Sequence, residues 1–209
     1  MPDFHRKPNR LGPESYLGRH AYFFTLCANE RRKILANAVL VESLVPVLRT
    51  TCGSHCFNVN AYCFMPDHLH LVVIGESDSA SLPRFMQAFK SLAARETRKL
   101  GISELWQKGF YDHVLCDGES IDGAALYAFL NPVRAGLVGC AEGWPYSGSF
   151  MFAWPNLPVV STPFVPPWKR EDQRKPGKRQ DGDVNSPLQT RGITAKDKMA
   201  TNSRDKPER

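Results

Sequence analysis

Two sets of residues in this chain have the types and spacing to do chemistry: His68 with His70, and Tyr127 with Asn131. On a β-strand, residues i and i+2 point to the same face, about 6.6 Å apart along it. Two imidazoles so placed can converge on one divalent ion while Leu69, Leu71 and Val73 pack on the opposite face; the plainer alternative is a pair of histidines lining a polar sheet face. Tyr127 and Asn131 stand four residues apart, so on a helix they share a face, one turn or about 5.4 Å apart. A phenol is a nucleophile when a metal or a base lowers the cost of its phenolate. An amide oxygen is a hard ligand suited to Mg²⁺ or Mn²⁺. Against this stands a helical tyrosine with its ring in the core, followed by an Asn-Pro helix stop. A third set, Cys52, His55 and Cys56, has the residue types for a soft metal, but no further ligands at matching spacing complete a zinc site.

The elements that must position these residues follow from periodicity. His20 to Cys27 is rich in aromatic and β-prone residues and reads as a strand. From about Asn37 to Thr51, Val41, Leu44, Val45 and Leu48 fall at helical spacing. Phe57 to Phe64 is a second strand, Met65-Pro66-Asp67 a turn, and His68 to Ile74 a third strand. Leu82, Phe85, Met86, Phe89, Leu92 and Ala93 form a periodic stripe running toward Leu100, with Arg84, Arg95 and Arg98 on the other side and Lys90 and Lys99 nearby. Tyr111 to Cys116 reads as a fourth strand. Ser120 or Asp122 opens a third helix, which Asn131-Pro132 strains or ends. Two β-α-β halves in this order give an α+β fold: a ferredoxin-like antiparallel sheet with helices on one face. Residues 1–18 read as an N-terminal arm, 19–153 as the folded domain, and 154–209 as a Pro-rich, basic, disordered tail that from Trp168 is too polar to fold alone.

With 42% apolar and 23% charged residues the chain has an ordinary globular composition. No run of about 18 apolar residues is present to span a bilayer, and the N-terminus lacks the apolar stretch of a secretory signal. A cytoplasmic address is the default expectation, and the six scattered cysteines then read as free thiols. Charge is unevenly placed: residues 169–209 hold 12 Lys/Arg against 7 Asp/Glu, a net +5, whereas the whole chain is +6. A basic tail beside a nearly neutral body suits a polyanionic partner, though a merely solvated tail has the same composition.

Taken together, Met65-Pro66-Asp67-His68-Leu69-His70, Trp106-Gln107 with Phe110-Tyr111-Asp112-His113, Tyr127 through Asn131-Pro132-Val133-Arg134-Ala135-Gly136-Leu137-Val138, and Trp144-Pro145-Tyr146-Ser147 change the reading. In this order the chain, from about Tyr22 to Ser147, resembles the REP-associated tyrosine transposases, a branch of the single-tyrosine transposases within the HUH endonuclease group. The resemblance implies that His68 and His70 are a metal-binding pair, Tyr127 the nucleophile and Asn131 a third ligand to Mg²⁺ or Mn²⁺. It implies cleavage of single-stranded, hairpin-forming DNA through a 5′-phosphotyrosine, by a monomer or a homodimer. His113 is a candidate for proton transfer or a structural role, and Arg95, Arg98 and Lys99 are candidates to meet DNA phosphates. Two features depart from the family pattern: Val114-Leu115-Cys116 stands where relatives often carry an arginine, and nothing beyond about Trp154 matches. The rival readings are a non-catalytic nucleic-acid-binding module that stacks bases on exposed sheet aromatics, and a domesticated transposase that binds palindromes without moving DNA.

Overall fold

A computed structural model describes residues 12–116, 118–153, 160 and 163–167. The expected elements are present: β1 (Ala21–Cys27), α1 (Ala38–Ser54), β2 (Phe57–Met65), β3 (His68–Gly75), α2 (Leu82–Lys99), β4 (Tyr111–Val114) and α3 (Ile121–Phe129), followed by α4 (Asn131–Arg134) and β5 (Ser147–Gly148). All pairings are antiparallel, in the order β4-β1-β3-β2-β5. The first four strands in that order are the ferredoxin-like arrangement, and β5 adds an edge too short to be legible in the sequence.

Local chemistry explains the boundaries. Asn37 caps α1, its side chain accepting from Leu40 N at 3.1 Å, and Ser120 caps α3, accepting from Gly123 N at 3.1 Å. The Pro66-Asp67 turn between β2 and β3 is fastened from outside: Leu35 N donates to Pro66 O and Ala28 N to Asp67 O, both at 2.9 Å.

The two crossover helices, α1 and α2, pack on one face of the sheet. The core there includes Leu44 and Leu48 of α1, Phe85 and Phe89 of α2, and Tyr22, Phe24, Leu69, Leu71 and Val73 of the strands. On the other face lies α3, whose buried Ala124, Ala125, Ala128 and Phe129 meet Phe23, Ala61, Cys63, Met65 and Val72. The small side chains let the helix approach the strands closely. An irregularity between Val59 and Ala61 makes β2 serve both faces. Phe57 and Val59 point to the α1/α2 side, then the extra residue shifts the phase, so that Tyr62 and Phe64 take that side while Ala61, Cys63 and Met65 turn toward α3. With α3 in place, Phe23 is 0% exposed. This face is not an open aromatic platform for stacking bases.

Candidate active site

His68 and His70 lie on the α3 side of β3. The register sets Thr25 of β1 and Cys63 of β2 beside His70, and Cys27 and Met65 beside His68. Each ring is held at Nδ1: His68 Nδ1 donates to Asp67 Oδ1 at 2.6 Å, and His70 Nδ1 is 2.7 Å from the buried Thr25 hydroxyl. Fixing Nδ1 leaves the opposite nitrogens to face each other, and His68 Nε2 is 3.0 Å from His70 Nε2. Two nitrogen ligands at right angles around an ion, each about 2.1 Å from it, are separated by about 3.0 Å. Two imidazole lone pairs at that distance repel unless a cation or a proton lies between them. The pair therefore fits a divalent metal.

The Asp67 carboxylate behind His68 is itself supported. Burial pushes its pKa up, but the hydrogen bond to His68 and the charges of His68 and Arg31 outweigh this and hold it below the usual carboxylate value. Arg31 reaches Asp67 Oδ2 at 3.4 Å and Cys27 Sγ at 3.3 Å. Its backbone, and that of Glu30, take positive φ angles of 56° and 55°.

Tyr127 comes from α3. Its ring meets His70 at 6.1 Å between centroids and Phe23 at 5.6 Å, both edge-on. The α3 helix brings the tyrosine to the histidine pair, as the sequence anticipates. The strain expected at Asn131-Pro132 is present: α3 ends at Phe129, Leu130 has φ −81° and ψ −1°, and α4 starts at Asn131. Pro132 is the cause, because it has no N–H to donate to the preceding turn. Asn131 is half-buried, and its Nδ2 is buried with no hydrogen-bond partner. An amide with an orphaned inward end can turn its oxygen inward and satisfy it with a cation. Among the described residues no group of three or more His, Cys, Asp or Glu is placed to hold a metal ion. That result also sets aside Cys52, His55 and Cys56; burial pushes the Cys52 thiol up to about 12, whereas Cys56 is exposed.

The remaining sequence candidates fall differently. His113 on β4 sits beside Phe23 in register. Its Nε2 is 2.5 Å from Glu119 Oε2, which also accepts from Cys116 N at 3.1 Å, so this histidine ties β4 to the turn before α3. Arg95, Arg98 and Lys99 are exposed on α2, across the sheet from the histidines, and Lys99 pairs with Glu96 at 2.6 Å. They are not part of the cluster. Lys90, left without a role by the sequence, donates to Gln107 O at 2.9 Å and Gly109 O at 3.3 Å, and burial lowers its pKa.

Two neighbours of Tyr127 escaped sequence reasoning. Arg134 of α4 stands with Cζ 4.1 Å over the Tyr127 ring centroid and donates from Nη2 to the Tyr127 carbonyl. Phe164, from the segment beyond residue 153, is buried with its ring 5.9 Å from Tyr127, 5.3 Å from Phe23 and 6.2 Å from His113. The other residues of 154–209 lie largely outside the described set.

A five-stranded antiparallel sheet that carries two facing histidines and presents a helix-borne tyrosine is the arrangement expected of a DNA-cleaving transesterase. A family model described as "Transposase IS200 like" matches residues 17–122, and the chain belongs to that family. The matched span contains both histidines and ends before Tyr127. A REP-associated tyrosine transposase of Escherichia coli K12 is 25% identical over 136 residues, covering 63% of this chain and 78% of the relative. A Haemophilus influenzae protein assigned to the same group is 28% identical over 141 residues, covering 60% of this chain and 77% of its own length. A solved REP-associated tyrosine transposase bound to a REP hairpin shares the fold, with a TM-score of 0.59 at 20% identity, covering 79% of this chain and 96% of that one. Among the described residues no helix is long and apolar enough to cross a membrane.

Proposed function

We propose that this transposase cuts and rejoins single-stranded DNA at hairpin-forming sequences through a covalent bond between Tyr127 and a 5′-phosphate. The observation that carries the reading is the meeting of two Nε2 atoms at 3.0 Å with a tyrosine ring 6.1 Å from one of the imidazoles. Either a proton or a cation can sit between the two nitrogens, and a cation there would lie beside the tyrosine ring, where a phosphate under attack needs it. The hairpin substrate extends to this chain what its relatives' names and the REP-hairpin complex describe.

Divalent metal dependence is general in the family; a Mg²⁺ or Mn²⁺ ion held by His68, His70 and Asn131 would polarise a non-bridging phosphate oxygen and offset the charge that develops in the transition state. The chain's own residues do the rest. Asp67 holds His68 in the tautomer that leaves Nε2 free, and the Thr25 hydroxyl orients the His70 ring from Nδ1. The Tyr127 oxygen attacks in line: its bond to phosphorus forms as the bond from phosphorus to the 3′-oxygen breaks. The phenolic proton passes to solvent, and the departing 3′-oxygen takes one up. Rejoining is the reverse attack by that 3′-hydroxyl, with the bond energy conserved in the phosphotyrosine, so no nucleotide is consumed. His113, engaged by Glu119, serves the scaffold in this scheme.

The test is cleavage of hairpin-bearing single strands and of the matching linear duplexes. Wild type with Mn²⁺ should cut the single strands, and chelation or His68→Ala should abolish the cut. Equal cutting of duplex DNA, or cutting that survives chelation, would overturn the reading.

A further inference from the structure

Arg134 grips Tyr127 at two points. One guanidinium nitrogen donates to the Tyr127 carbonyl, while Cζ lies 4.1 Å from the ring centroid. The carbonyl belongs to the last turn of α3, where a helix leaves its C=O groups without intrahelical donors. A cation there both satisfies the oxygen and complements the helix dipole. The ring's other recorded neighbours are aromatic: Phe23, His70 and Phe164 at 5.6, 6.1 and 5.9 Å. Arg134 thus supplies the charged neighbour of a tyrosine otherwise walled by rings.

Burial lowers the pKa of this guanidinium, and the nearby Tyr127 and Cys63 offset that shift only in part. What holds the guanidinium there is geometric: the carbonyl it donates to and the ring it covers. A planar guanidinium can lie over a ring and donate to an oxygen at the ring's own backbone at once. A lysine ammonium is a point charge and cannot do both with the same geometry. A surface arginine recruited for DNA phosphates would have no reason to be turned inward onto the helix that carries the tyrosine.

We propose that Arg134 is a positioning residue for Tyr127, locking the ring and the last turn of α3 in the orientation from which the phenolic oxygen reaches the scissile phosphate. The proposal rests on Tyr127 being the nucleophile. The lock acts on a reaction in which geometry dominates the rate, since small misplacements of a reacting group cost about 100-fold. It acts equally on rejoining, because the same oxygen is then the leaving group.

The experiment compares wild type, Arg134→Lys, Arg134→Met and Tyr127→Phe with hairpin-bearing single-stranded DNA. It measures the single-turnover rate of adduct formation at saturating DNA, the DNA affinity, the Mn²⁺ affinity and the melting temperature. Both Arg134 variants should lose about 10- to 100-fold in the single-turnover rate, with DNA and Mn²⁺ affinities within about twofold of wild type. In a further variant, Arg134→Ala, millimolar guanidinium should restore part of the lost rate without changing the melting temperature, which separates rescue of the site from rescue of the fold. If Arg134→Met does not fold, Arg134→Lys carries the comparison. A wild-type rate in the variants overturns the proposal, as does a loss that lies wholly in DNA affinity, which would make Arg134 a phosphate contact. An adduct formed by Tyr127→Phe overturns the nucleophile reading, and the proposal with it; a wild-type adduct that depends on Tyr127 while Arg134 proves dispensable overturns the proposal alone.

Discussion

Asp67 offers a sharp test of the paired-histidine site because it reaches that site through His68. Its Oδ1 accepts from His68 Nδ1 at 2.6 Å, and its other oxygen faces Arg31 at 3.4 Å. A charge-assisted hydrogen bond of this kind contributes about 1.5–3 kcal/mol, and removing a carboxylate behind a metal-binding histidine weakens metal affinity about 10- to 100-fold. The two figures agree, since each factor of ten is about 1.4 kcal/mol. Asp67→Asn keeps an acceptor oxygen for Nδ1–H but loses the charge, so its loss should lie at the lower end. Asp67→Ala removes both, so its loss should lie at the upper end. The Arg31 side chain is 55% exposed, and losing its partner should change stability by less than about 1 kcal/mol. Calorimetric titration with Mn²⁺, beside a thermal melt of each variant, separates affinity from folding. If Asp67→Ala binds Mn²⁺ within twofold of wild type while melting normally, the imidazoles do not depend on that carboxylate and the reasoning fails.

Two other outcomes follow from particular residues. A Cβ at Gly75 would fall 2.1 Å from the Gly18 backbone oxygen and 3.2 Å from Ala80 Cβ, so Gly75→Ala should destabilise by about 1–3 kcal/mol, measured as a lowered melting temperature, and an unchanged melt would contradict the packing described. Deleting residues 169–209, with their net +5, should weaken DNA binding and flatten its dependence on salt; a truncated protein with the same salt slope would show that this charge does not meet DNA.

The sequence was most informative where the geometry is local. His68 and His70 share a face because strand periodicity is two, and Asn37 and Ser120 declare their helices by capping chemistry. Helix α2 is legible from its apolar stripe, of which Phe85 and Phe89 are fully buried. What stayed hidden depends on tertiary packing. The phase shift between Val59 and Ala61 leaves only a weak trace, large side chains at 57 and 59 and then at 62 and 64. Pro132 signals a break, but not that it would fall at Leu130, between Tyr127 and Asn131. Arg134 looks like a surface cation until α4 turns it back onto Tyr127. Phe164 sits in a Pro-rich stretch whose composition hides one ring destined for the core. The basic face of α2 shows the converse: Arg95, Arg98 and Lys99 are legible as charges, but only the fold shows them across the sheet from the histidines.

The most direct measurement is the covalent bond itself. Wild-type protein and Mn²⁺ are incubated with hairpin-bearing single strands labelled on the 3′ side of the cut, then separated under denaturing conditions. A labelled protein band should appear with wild type, map by mass spectrometry to the peptide containing Tyr127, and vanish with Tyr127→Phe, which removes only the attacking oxygen. A water-activating nuclease built on the same cation site would cut and leave no such band. Cleavage without an adduct, or an adduct that persists in Tyr127→Phe, would contradict the account.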